Sequence, residues 1–177
     1  MLLLLNPFHI CENYYLYYFR IQPNVLIGEP RRSIHEIAAA FSSSRFYDSA
    51  DQQVIDTVKA VVRNIAEAGH YIIVGRAASM IAQDIPRRLS IRLQAPLDWR
   101  INRIMQISNL SWAEAQDYVI EIDRQRNLFV EHVAGRKLDS NDFDLIFNYS
   151  TIPDDLIVDA IVNVLKNKKI ISNSDED

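Results

Sequence analysis

The side chains best suited to chemistry in this sequence are its arginines, which heavily outnumber its lysines. Arg76 follows Tyr71-Ile72-Ile73-Val74-Gly75, an apolar run that reads as a short strand buried on both faces, then a glycine that lets the backbone turn. An arginine at the carboxyl end of a parallel strand is placed to clamp a carboxylate or phosphate, because ligands bind outside those ends. The plainer reading of Arg76 is a surface salt bridge. Arg100 and Arg103 fall on a helix after a second strand, and Arg124 and Arg126 lie within Glu121-Ile122-Asp123-Arg124-Gln125-Arg126-Asn127. Guanidinium groups converging from separate elements suit phosphoryl transfer, in which charge builds on several oxygens at once. For Arg124 and Arg126 the competing reading is a solvated helix face with a local Asp123–Arg126 pair.

Other chemistries find less support. His9, His35, His70 and His132 are scattered without partners at metal-ligand spacing, so no metal site is expected. Cys11 sits among aromatic residues and reads as a packing residue, and Ser42-Ser43-Ser44 as a connector. A phosphate loop needs clustered glycines so that backbone N–H groups can wrap the phosphates. The four glycines, Gly28, Gly69, Gly75 and Gly135, stand singly. Gly28-Glu29-Pro30-Arg31-Arg32-Ser33 follows a possible strand, Asn24–Ile27, but has one glycine, a proline lacking a donor and an acid where phosphate would go. It is at most a remnant.

The elements that must position these residues read as alternating strands and helices. Ser33 with Glu36 and Ser49 with Gln52 form capping boxes, the second before a helix whose apolar series is Val54, Val58, Val61 and Ile65, ending at Gly69. The Tyr71–Gly75 strand and a helix over residues 77–82 follow. Leu89–Leu93 alternates as a second strand, and Pro96 precedes a helix, Leu97–Ile107, with Leu97, Ile101 and Ile104 on its apolar side. Ser111 with Glu114 opens a long helix to about Val133, stopped by Gly135. Asp144–Asn148 is a third strand, and a last helix runs from Asp154 to Leu165. This order predicts an α/β fold with a parallel sheet flanked by helices. At 177 residues the chain suits one domain, over residues 34–171, preceded by an atypical apolar and aromatic segment, 1–33, and followed by an acidic tail, 172–177. The net charge of −4 argues against a nucleic-acid partner, no stretch is long enough to span a membrane, and a single cysteine fits a reducing, cytoplasmic location.

Taken together, four pieces in this order and spacing resemble the cytidylate kinase-like family of nucleoside-monophosphate kinases, over about residues 34–165. They are Tyr71–Ala77, Ile91–Arg100, Ile122–Arg126 and Asp142–Asn148. The resemblance implies a P-loop kinase-like three-layer core and transfer of a phosphoryl group from ATP, with Mg2+, to a pyrimidine nucleoside monophosphate such as CMP. It implies Gly75 and Arg76 beside the acceptor nucleotide, with Arg100, Arg103 and Asp123 also on the substrate side, and Arg124 and Arg126 as catalytic residues of a closing lid. The sequence departs from the family in two ways. Ala77 stands where cytidylate kinases carry an aspartate. The usual first strand and its phosphate loop are not recognisable, so the chain either starts downstream of them or replaces them with residues 1–33. Transfer from ATP is therefore expected to be weak or absent, with a non-catalytic nucleotide- or phosphate-binding module, or a partner-binding structural domain, as the alternatives. An empty central slot in the sheet would expose two rows of backbone donors and acceptors. Val25–Ile27 or Leu2–Leu5 is expected to fill it, or to mediate homodimerisation through it.

Overall fold

The computed structural model describes residues 2–5 and 52–171. Four parallel strands form one sheet: β1 (Leu2–Leu5), β2 (Ile72–Val74), β3 (Leu89–Gln94) and β4 (Leu145–Asn148), in the order β2-β1-β3-β4. The helices are α1 (Gln52–Ala68), α2 (Ala78–Ile81), α3 (Leu97–Ser108), α4 (Trp112–Ala134) and α5 (Asp154–Asn167), with a 3-10 turn at Ser140–Asp142 before β4. The three strands expected from sequence are parallel members of one sheet. Of the two segments expected for the central slot, Leu2–Leu5 takes it, in register with Ile72–Val74 on one side and Leu89–Arg92 on the other. Residues 24–27, the capping boxes at Ser33 and Ser49, and His9, Cys11, Gly28, His35 and Ser42–Ser44 lie outside the described residues.

The position of each strand in the sheet reverses two expectations about burial. The apolar β2, expected to be buried on both faces, leaves Val74 36 % exposed, because β2 is the last strand on its side among the described residues. The alternating β3 is interior, and Leu89, Ser90 and Ile91 are fully buried. Burial of Ser90 is tolerable because its polar groups are satisfied: Oγ donates to the Asp142 carbonyl at 3.2 Å and its N–H to Asp144 Oδ2 at 2.7 Å. Leu89, Ile91 and Leu93 pack with Ile157, Ile161 and Leu165 of α5, and Leu145 and Phe147 of β4 pack against this core. Removing one such side chain from water is worth about 1.5–3 kcal/mol.

On the β2 side, α1 packs Val62 and Ala66 against Ile73, Ala78 and Ala82, with Val58 and Ile65 alongside. The expected series through Val61 is corrected: Val61 is 51 % exposed, and the stripe that meets the sheet is Ile55, Val58, Val62, Ile65 and Ala66. That stripe has the i, i+3, i+4 spacing of one helical face. The helix after β2 is also shorter than expected, since Ala77 takes a left-handed conformation and helical residues begin at Ala78.

The helices around the carboxyl edge start and stop where local chemistry requires. Pro96 precedes α3, and Asn109, at φ 54°, ends it by donating its N–H to the Met105 carbonyl at 3.1 Å. Only Ile101 and Ile104 of the expected α3 stripe are buried; Leu97 is 37 % exposed in the first turn. The predicted capping box of α4 is present: Ser111 N–H donates to Glu114 Oε2 at 2.8 Å and Ser111 Oγ accepts from Glu114 N–H at 3.4 Å. The Ser111 hydroxyl, which donates to Glu114 Oε2 at 2.6 Å, and then the Ser111 N–H hold the Glu114 carboxyl below its usual range. Gly135, at φ 69°, closes α4 with its N–H on the Glu131 carbonyl. Among the described residues no helix is long and apolar enough to cross a membrane.

Candidate functional site

β3 ends at Gln94, and Ala95 and Pro96 carry the chain straight into α3, whose buried Ile101 and Ile104 lock it against Ala115 and Val119 of α4. This antiparallel pair brings distant parts of the sequence to the carboxyl edge of the sheet. A cleft of about 410 Å³ opens there. Arg92 and Gln94 line it from β3, Arg100 from α3, and Asp123, Arg126 and Asn127 from α4. Asn148 at the end of β4 closes another side, held in place where Tyr149 N–H donates to the Gln94 carbonyl at 2.8 Å. The volume falls in the range of small-molecule sites, and the lining is mainly polar and basic, as an anionic ligand would require.

Three of the residues singled out in the sequence meet in this cleft: Arg100, Asp123 and Arg126. Arg100 Nη1 donates to Asp123 Oδ1 at 2.8 Å and lies 2.7 Å from Oδ2, an ion pair that ties α3 to α4. The Arg100 side chain is only 14 % exposed, so its charge is matched where water is scarce. The Asp123 carboxylate is thus drawn across to α3. Helical spacing explains the outcome: positions 123, 126 and 127 share the face towards the cleft, while 121 and 124 turn away.

Arg124 lies on that outer side. Its Nε and Nη2 donate to the two oxygens of Glu121, each at 2.8 Å, and the Glu121 carboxyl falls to about 2 chiefly because of that hydrogen bonding, with Gln125 adding a second donor. Arg103 does not line the cleft either; its Nη1 reaches Gln106 Oε1 at 3.5 Å on the same helix.

Gly75 and Arg76 stand at the end of β2, outside the cleft. Gly75, Arg76 and Ala77 are three successive left-handed residues, at φ 72°, 54° and 53°. The Ala78 N–H closes the turn on the Gly75 carbonyl at 3.0 Å. Glycine takes this conformation freely, whereas each following residue carries a cost of about 1–2 kcal/mol. Ala77 is held there by burial between α1 and α4, beside Ile55, Val130 and Val133. Arg76 is thereby turned outward as an exposed side chain at the carboxyl edge. β2 and β3 are separated by β1, so the Arg76 and Arg92 strands are roughly 10 Å apart along that edge.

The sequence reading missed Arg92, Gln94, Asn127 and Asn148. A signal existed for the first two: in Leu89-Ser90-Ile91-Arg92-Leu93-Gln94 the strand period puts Ser90, Arg92 and Gln94 on one face. Polar residues on one face of an interior strand need a reason, and the cleft is that reason at Arg92 and Gln94. Asn127 and Asn148 carried no comparable signal.

Residues 21–151 match the family described as the cytidylate kinase-like family. A cytidylate kinase of Sulfolobus acidocaldarius is 35 % identical over 85 residues, which are 48 % of this chain and 47 % of that protein. The chain thus spans about half the length of the curated relative it matches. The crystal structure of an uncharacterized protein from Eubacterium ventriosum superposes with a TM-score of 0.60 at 20 % identity, covering 79 % of this chain and 77 % of the other. That likeness speaks for the fold.

Proposed function

The chain belongs to the cytidylate kinase-like family, and from that premise we propose that it binds a nucleoside monophosphate of the CMP type at the carboxyl edge of its sheet, with little or no phosphoryl transfer from ATP. The observation that carries this reading is the gathering of Arg100, Asp123 and Arg126, from two helices, on a single basic cleft beyond the strand ends. Arg126 supplies in-plane donors to a phosphoryl oxygen. The Arg100–Asp123 pair fixes the walls of the cleft and keeps its spacing. Arg76, from the β2 turn, closes on the acceptor from the other side.

Magnesium with ATP is what the family implies, and bound there it would polarise the transferring phosphoryl group. The described residues do not fit that group. The glycines of the sequence stand singly, whereas a cradle of backbone donors for a triphosphate calls for clustered ones. Among the described residues no cluster of three His, Cys, Asp or Glu side chains is placed to hold a metal ion. Losing a single preorganised donor commonly costs about a hundredfold or more in rate, and a whole cradle costs far more.

Two measurements test the proposal. In calorimetric titration CMP binds wild type weakly and salt-sensitively, and Arg76→Ala removes the binding. In a coupled ADP-release assay with ATP, Mg2+ and CMP, turnover stays at background. Turnover at ordinary kinase rates, or equal CMP binding by wild type and Arg76→Ala, overturns the reading.

A further inference from the structure

We propose that Arg92 is the residue that seats the phosphate in the cleft, an inference that deepens the nucleotide reading and rests on it. Four charged side chains line the cleft: Arg92, Arg100, Arg126 and Asp123. Arg100 and Asp123 neutralise each other, with Arg100 Nη1 standing 2.8 and 2.7 Å from the two carboxylate oxygens, and that pair leaves the charge of Arg92 uncompensated. Arg92 is firmly placed, on an interior strand bonded to β1 on one side and β4 on the other.

Among the described residues the partner of the Arg92 guanidinium is an aromatic ring. Its central carbon lies 5.6 Å from the centroid of Phe143, itself only 8 % exposed. A ring beneath the guanidinium orients it and occupies its face. The N–H donors, which lie in the plane, are left for a ligand. A planar fork of this kind matches two oxygens of a phosphate, which a lysine ammonium cannot do. The neighbours support the same chemistry: Gln94, two residues on along the same face, and Asn127 and Asn148 across the cleft add neutral amide groups. Arg92 is in register with Leu5, the last residue of β1, so this cation stands beside the point where the central strand leaves the sheet. A side-chain seat at that point offers a phosphate charge and donors where the chain has no glycine cluster to offer backbone ones.

The test uses sodium tripolyphosphate, CMP and cytidine in calorimetric titrations of the full chain. The variants are Arg92→Gln, Arg92→Lys and Lys59→Gln, the last removing a cation of α1 that does not line the cleft. Circular dichroism and thermal melts establish that each is folded. Expected are a tenfold or greater loss of tripolyphosphate and CMP affinity in Arg92→Gln, a partial loss in Arg92→Lys, and a change of less than twofold in Lys59→Gln. Should Arg92→Gln fail to fold, Arg92→Lys, which keeps the charge and loses the fork, decides the matter. Unchanged tripolyphosphate binding in the Arg92 variants overturns the proposal, as does an equal loss in Lys59→Gln or the absence of tripolyphosphate binding by wild type. If tripolyphosphate binds through Arg92 while CMP does not bind at all, the seat stands and the nucleotide reading falls. If CMP binding depends on Arg76 and ignores Arg92, the nucleotide reading stands and the seat falls.

Discussion

At the end of β2 the chain leaves the sheet through three consecutive left-handed residues, Gly75, Arg76 and Ala77; at the end of β3 it runs through Gln94, Ala95 and Pro96 into a 12-residue helix. Both exits place an arginine at the carboxyl edge, but by opposite means. The β2 exit stores local backbone strain and presents an exposed side chain next to a strand whose Val74 is half open to solvent. At the β3 exit there is no strained residue. It is held by the fully buried Leu89 and Ile91, by the packing of Ile101 and Ile104 on α4, and by an ion pair between the two helices. A site wall that must not move is built on an interior strand and packed helices.

The largest expected effect tests that contrast in packing. Ile91→Ala, at a fully buried interior position, is expected to cost about 2–5 kcal/mol. Val74→Ala, at the half-open end of β2, should cost about 1 kcal/mol or less. Urea unfolding of the two variants measures the difference, and equal losses would mean that β2 is as firmly built into the core as β3.

A smaller effect, of opposite sign, tests the strain. Arg76→Gly removes the side-chain clash at φ 54° and adds unfolded-state entropy, for a net gain of about 0.5 kcal/mol in stability. Binding of CMP should be lost in the same variant. A thermal melt that falls instead of rising would show that the turn is held by contacts of the Arg76 side chain and carries no net strain.

The smallest effect separates the two ion pairs of α4. Glu121, paired with Arg124 on the outer face, has a carboxyl lowered to about 2. A depressed carboxylate contributes stability above its unfolded value of about 4.3 and loses it as pH falls towards 2. Both side chains are about half exposed, so the contribution should stay below about 0.5 kcal/mol after solvent screening. Carboxyl NMR titration should return Glu121 towards about 4 in Arg124→Gln. No such return would mean that the Gln125 amide, and not Arg124, holds the carboxylate.

Over residues 52–171 the sequence by itself determined the element order, the parallel class of the sheet, the capping box at Ser111, the stop at Gly135 and the turn after Val74. These depend on residues within one or two helical turns of each other, so short-range pattern suffices. It also named Arg100 and Arg126 through their type and placement, and Asp123 through the family resemblance. Tertiary structure alone decided which strand is interior, and with it the burial of Ser90 and the exposure of Val74, because burial depends on neighbours supplied from elsewhere in the chain. It decided that Asp123 reaches across to Arg100, twenty-three positions away. The reason is the packing of α3 on α4, which sets the two side chains face to face. Arg92 shows the same limit from the other side: its place in an alternating strand was legible, but its ring partner Phe143 is contributed by a segment fifty-one residues later, and only the folded chain lays one over the other.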